Sequence, residues 1–192
     1  MNNIVKTLGA TNSKTIGERE PYDFYATNPR MVKKLLEVEK FNLNILEPCV
    51  GLGHISAVLE HRGYKTYGID IINRGSVYQH EISDFLQYDK FFNGDIITNP
   101  PFRHYEAFIR KSLEIIPTGN RVAILGRILA LEGKSRGNLY AEYPPQKVYV
   151  FSSRQVCAIN GEFEKVKGSA QNYAWYIWLK GYRGETVVNW IN

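Results

Sequence analysis

Residues 43–60 constrain the fold of this chain more than any other stretch. Leu43-Asn44-Ile45-Leu46 is an apolar run of strand length, Glu47-Pro48-Cys49-Val50-Gly51-Leu52-Gly53 is a turn with two glycines, and His54-Ile55-Ser56-Ala57-Val58-Leu59-Glu60 carries helical spacing. Strand, glycine turn and helix form the opening unit of a doubly wound sheet, where ligands sit beyond the carboxyl ends of the strands. The alternation continues along the chain. Pro29 opens a helix with Met31, Val32, Leu35 and Leu36 as its buried stripe. Residues 64–70, 77–80, 95–98 and 121–125 predict further strands, and 104–116 an amphipathic helix with Phe108, Leu113 and Ile116 on its apolar side. Residues 147–151 and 173–179 predict two last strands at the antiparallel end of the sheet. The expected architecture is α/β: a Rossmann-like, seven-stranded mixed sheet, its last strand antiparallel, with helices on both faces.

The chemistry of the glycine turn narrows its ligand. A dinucleotide fingerprint places a third glycine where Ser56 stands, and a pyrophosphate prefers helix N–H groups without a carboxylate beside them. Glu47 instead suits a cationic or hydrogen-bond-donating ligand. S-adenosylmethionine, with a sulfonium, an ammonium, a ribose and no phosphate, fits better than NAD. Asp70 closes the second strand about twenty residues past the turn, the position that takes ribose hydroxyls in such folds.

The second chemical feature is Asn99-Pro100-Pro101-Phe102, closing the apolar run Asp95-Ile96-Ile97-Thr98. It supplies two oxygen acceptors, the Asn99 side-chain carbonyl and the Pro100 backbone carbonyl, in a segment stiffened by two prolines. Phe102 adds a flat ring. Two acceptors and a ring suit a planar substrate bearing an NH₂ group.

In this order the motifs resemble those of adenine-N6 DNA methyltransferases that use S-adenosylmethionine, and in particular their small phage- or prophage-type members. The resemblance spans Asp23-Phe24-Tyr25-Ala26-Thr27-Asn28-Pro29, Glu47-Pro48-x-x-Gly51-x-Gly53, Asp70, Asp84-Phe85, Asn99-Pro100-Pro101-Phe102 and the tail Asn172-Tyr173-Ala174-Trp175-Tyr176-Ile177-Trp178. It implies a class I methyltransferase fold and transfer of a methyl group to the N6 amine of an adenine flipped out of DNA. Asn99, Pro100, Pro101 and Phe102 would be catalytic. Tyr25, Thr27, Glu47, Pro48, Gly51, Gly53, Asp70, Ile71, Asp84 and Phe85 would hold the cofactor, with Tyr25 and Thr27 at its methionine end and Asp84 at its adenine amine. The contact segment reads Thr27-Asn28-Pro29, a departure from the family's usual Thr-Pro-type pattern. Two other readings stay open: methylation of an adenine or guanine amine in RNA, and an inactive nucleic-acid-binding protein with this fold.

Composition supports a nucleic-acid partner. The net charge is +5, and Arg103, Arg110, Lys111, Arg121, Arg127, Lys134, Arg136, Lys147 and Arg154 all follow the fourth strand. Residues 133–138 and a polar loop at 152–171, with Arg154, Asn160, Lys165 and Lys167, are the candidates for gripping phosphates. Residues 1–20 read as a flexible polar arm and 21–192 as one methyltransferase domain. The chain carries neither a membrane-length apolar run nor an apolar leader near Met1, so a cytoplasmic location is expected. Cys49 and Cys157 lack metal-ligand spacing, and no metal is expected. Cys49 in a cofactor turn reads as a packed thiol, not a nucleophile.

Overall fold

A computed structural model describes residues 25–159, 161, 163 and 171–192. The arm 1–20, Asp23, Phe24, Asn160, Lys165 and Lys167 lie outside the described residues. In chain order the elements are β1 (Tyr25–Thr27), α1 (Pro29–Val38), β2 (Asn44–Pro48), α2 (His54–His61), β3 (Lys65–Asp70), β4 (Gln79–Ile82), β5 (Asp95–Thr98), α3 (Tyr105–Ile115), β6 (Arg121–Arg127), α4 (Lys134–Glu142), β7 (Lys147–Phe151), β8 (Cys157–Ile159), β9 (Tyr173–Leu179) and β10 (Val187–Ile191).

Eight strands form one sheet in the order β10-β7-β9-β6-β5-β2-β3-β4, while β1 and β8 pair separately. Strand β9 lies antiparallel between β6 and β7, and every other pairing in the large sheet is parallel. The mixed α/β sheet is the expected one, with eight strands where seven were predicted. The extra strand, β10, is an edge strand that leaves Val187, Val188 and Trp190 exposed, so it lacks the buried alternation that marks a strand in sequence. Of the two last predicted strands, only β9 runs against the sheet.

Other boundaries moved for local reasons. The third predicted strand sits two residues later, at Gln79–Ile82. Residues 133–138, a candidate phosphate grip with no element predicted for it, belong largely to α4, which buries only Leu139 and holds a glycine inside, so no apolar stripe announces it. Inside the predicted loop 152–171, residues Cys157–Ile159 form β8, whose partner β1 is more than a hundred positions away in sequence.

The core has one layer on each side of the sheet. Along β9, Tyr176 and Trp178 pack with Phe108, Ile109 and Leu113 of α3, while Trp175 and Ile177 pack with Met31, Val32 and Leu35 of α1 and Ile55 and Leu59 of α2. This is the period-two alternation of a strand buried on both faces. Asn28 caps α1 by accepting a hydrogen bond from the Arg30 N–H at 2.9 Å, and Pro29 fills the first helical position. The Thr-Asn-Pro departure is thus a helix-start signal.

At the amino end of the sheet, Asp95 is 2% exposed and accepts from the backbone N–H groups of Asn42 (2.6 Å) and Arg121 (2.7 Å). It ties β5 to the loop before β2 and to β6. Asp95→Ala leaves both donors without their acceptor, and urea unfolding should show a loss of about 2–4 kcal/mol. A loss under about 0.5 kcal/mol, the scale of a neutral surface change, would contradict this role.

Candidate functional site

A cavity of about 220 Å³ opens beyond the carboxyl ends of β2, β3 and β5. Its walls come from β1, the turn after β2, the segment after β4 and the turn after β5. Of the predicted cofactor residues, Tyr25, Thr27, Glu47, Asp70, Ile71, Asp84 and Phe85 line it, and Asn99, Pro101 and Arg103 line it from the other motif. Pro48, Gly51, Gly53, Pro100 and Phe102 do not.

The turn is held by its own backbone and by Asp70. Cys49 N–H and Val50 N–H both donate to the Ile69 carbonyl, at 2.8 and 2.9 Å, and Gly51 N–H donates to Asp70 Oδ2 at 2.9 Å. Asp70 Oδ1 accepts from Ile72 N–H at 3.1 Å. The carboxylate is therefore fixed by one bond to each oxygen, with further lone pairs for a ligand. Cys49 sits at φ +81°, a conformation that costs a non-glycine residue about 1–3 kcal/mol and that clusters at functional sites. Gly53 is at φ +85°, and a Cβ there would come within 2.3 Å of the Tyr78 ring. Its role is close packing, whereas the cavity wall belongs to Cys49 and Val50. Burial pushes the Cys49 thiol well above its ordinary value, with the nearby carboxylates adding to the shift, and this fits a packed thiol.

Glu47 is 1% exposed at the end of β2. Its Oε2 accepts from the Ser56 N–H at 2.9 Å and from the Ser56 hydroxyl, so the carboxyl lies at the first turn of α2. Ser56 stands where a dinucleotide site has glycine because it partners Glu47. Burial outweighs these donors and raises the Glu47 carboxyl to about 8. Asp84 caps the short 3₁₀ turn Phe85–Gln87, accepting from Leu86 N–H at 2.9 Å. Phe85 is both core and wall: it stacks on Phe108 at 5.2 Å and faces the cavity.

On the opposite side, the Asn99 amide nitrogen donates to the Tyr25 carbonyl at 3.2 Å and to Thr27 Oγ1 at 3.0 Å. A backbone carbonyl only accepts, so the amide cannot flip without setting oxygen against oxygen. Both N–H groups are consumed by β1, and Oδ1 is left as an acceptor. Strand β1 is itself fixed by β8, with Thr27 opposite Cys157. The Thr98 hydroxyl donates to the Pro48 carbonyl, locking the two motif strands together. Tyr25 and Thr27 thus serve Asn99 as well as the cavity wall.

Phe102 departs from the expected placement. Its ring packs against Tyr173 with centroids 6.2 Å apart, and the Arg127 guanidinium lies 4.5 Å from its centre. Sequence reading passed over the wall residues Arg74 and Ser83, and it takes His54 and His104 only as helix-start residues, although both line the cavity. Only their position just past strand ends could have flagged them. Burial lowers the His54 ring from its ordinary value. Among the basic candidates, Arg103 is on the rim and Lys134 is exposed, whereas Arg136 turns back to donate to the Leu129 and Glu132 carbonyls. Arg154 is exposed in the segment before β8. Among the described residues no cluster of side chains could hold a metal ion, and no helix is long and apolar enough to cross a membrane.

No protein-family model matches the chain, and no curated protein sequence is similar to it. Solved structures do match by fold. A candidate RNA methyltransferase from Pyrococcus horikoshii aligns over 88% of this chain and 93% of its own, at 15% identity and a TM-score of 0.59. A candidate class I S-adenosylmethionine-dependent methyltransferase from Listeria monocytogenes aligns over 86% of this chain, at 14% identity and a TM-score of 0.60, and this chain spans 65% of its length. A predicted O-methyltransferase from Agrobacterium tumefaciens aligns over 80% of this chain and 81% of its own, at 13% identity and a TM-score of 0.56. The fold is that of class I methyltransferases.

The raised Glu47 has a measurable consequence. The folded state keeps its proton between the ordinary carboxyl range and about 8, while the unfolded chain loses it, so this group's contribution to stability falls as pH rises through that window. Glu47→Gln removes the titration. Its stability relative to the parent should climb between pH 5 and 8 by up to about 1.4 kcal/mol per pH unit in denaturant titrations. A difference that does not change with pH would contradict the assignment.

Proposed function

We propose that the chain is an S-adenosylmethionine-dependent methyltransferase acting on the exocyclic N6 amine of an adenine extruded from DNA. The observation that carries this reading is the Asn99 amide, whose two donors are taken by β1 so that an acceptor stands at the cavity beside Pro101. Two of the three named structural relatives are described as acting on RNA or at oxygen and the third without a substrate, so the choice of amine and of DNA rests on the Asn-Pro-Pro-Phe segment and the basic charge.

The residues present fit the cofactor. Asp70 keeps acceptor capacity for a ribose diol, Asp84 stands where an adenine amine could be bound, and Ile71, Phe85 and Leu86 give apolar walls for a ring. Glu47 gives a carboxyl that a nearby positive charge would ionise. When bound, S-adenosylmethionine supplies an electrophilic methyl group on a positively charged sulfur. Everything else is done by the chain. Asn99 Oδ1 on the cavity wall and the Pro100 carbonyl, set back from that wall, each accept a hydrogen bond from the amine and draw it from conjugation with the ring. They hold its lone pair in line for transfer, and they bind the emerging ammonium more strongly than the flat amine. The alkylated nitrogen then sheds a proton to solvent. The base must leave the duplex to reach this cavity, at a cost of a few kcal/mol that contacts to the flanking strand offset.

Asn99→Ala should lower methyl transfer by about two to three orders of magnitude, the scale of one acceptor aimed at developing charge. Calorimetry should find cofactor affinity within a few-fold of the parent. Asp70→Ala should do the reverse, weakening cofactor binding more than the rate at saturation. Wild-type turnover in the Asn99 variant, or unchanged cofactor affinity in the Asp70 variant, would remove that residue from its role.

A further inference from the structure

Arg127 ends β6, the neighbour of the strand that delivers Asn99. Its backbone is pinned on both sides of the peptide: the Tyr176 hydroxyl donates to its carbonyl at 2.8 Å, and Ile128 N–H donates to Asn172 at 2.9 Å. Its side chain has no such anchor. Nε is buried without a hydrogen-bond partner. The guanidinium lies over the Phe102 ring, 4.5 Å from its centre and within cation–π range. Tyr173, directly opposite Arg127 in the β6–β9 register, touches the same ring. A guanidinium over a ring still has N–H donors at its edge, in the fork that matches phosphate oxygens.

Resting on the reading above, we propose that Arg127 is a positioning residue for the target nucleotide. Its plane fixes the Phe102 ring while its edge takes a phosphate of the strand that carries the extruded base. One side chain then couples grip on the backbone to placement of the aromatic beside Asn99. Buried donors without a partner cost free energy, and a phosphate oxygen would relieve that cost only in the complex.

Two substitutions separate the two parts of this role. Arg127→Lys keeps the charge and loses the plane, whereas Arg127→Gln keeps a planar end and loses the charge. Duplex binding would be titrated with salt, and turnover measured at saturating DNA and cofactor, with thermal midpoints as the folding control. The Gln variant should lose about one unit of the logarithmic salt slope, one phosphate contact. The Lys variant should keep the slope and lose roughly tenfold in turnover, because an ammonium has no planar fork to hold the ring and a phosphate oxygen together. Wild-type slope in the Gln variant, or wild-type turnover in the Lys variant, would overturn the proposal. So would equal losses in both accompanied by a lowered midpoint, which would mark a structural residue. A parent protein without salt-dependent nucleic-acid binding would bring down the functional reading itself, and is told apart because it fails before either substitution is made.

Discussion

The hydrogen bonds from the Asn99 amide to Tyr25 and Thr27 are the constraint on which the site depends. They join residues more than seventy positions apart and make the first described strand part of the motif that follows the fourth strand of the sheet. Without them the Asn99 side chain could present either end to the cavity, and an N–H pointing inward would repel an amine. Strand β8 holds β1, and through it the late part of the chain bears on the same atom. The acceptor is therefore set by tertiary structure, although the residue that provides it stands in a local tetrapeptide.

The other wall follows the same logic with carboxylates. Asp70 is oriented by Gly51 and Ile72, Asp84 by Leu86, and Glu47 by Ser56, each through at least one backbone N–H. Carboxyl groups near one cavity repel one another, and bonds to backbone donors make their proximity tolerable. Glu47, the most buried of the three, pays instead by holding a proton. A ligand bearing positive charge would reverse that balance, which gives the acidic wall a preference for a cation over a phosphate.

Much of this could be read in the sequence where the signal was local. The glycine turn, Asp70 and the Asn-Pro-Pro-Phe segment lie where strand ends meet the cavity, because strand and helix periods extend over neighbouring residues. The run Tyr173–Leu179 is apolar at nearly every position, and it forms a strand covered on both faces. What escaped was non-local or short. Strands β1 and β8 have three residues each and exist through their pairing, β10 is an exposed edge, and α4 lacks an apolar stripe. The Phe102 ring was assigned to the base from its motif, yet a guanidinium from another strand lies against it, and no spacing in the sequence couples residues 102 and 127. Ser56 was read as a missing glycine, when its hydroxyl and N–H serve a buried carboxyl.

The claim that this acceptor is built for an adenine amine is tested most directly by chemistry on the product. Purified protein would be incubated with duplex DNA and S-adenosylmethionine carrying an isotopically labelled methyl group, and the DNA digested to nucleosides for mass spectrometry. The account predicts label in N6-methyldeoxyadenosine. Label in a different nucleoside, label only when RNA replaces the DNA, or no transfer at all would contradict it.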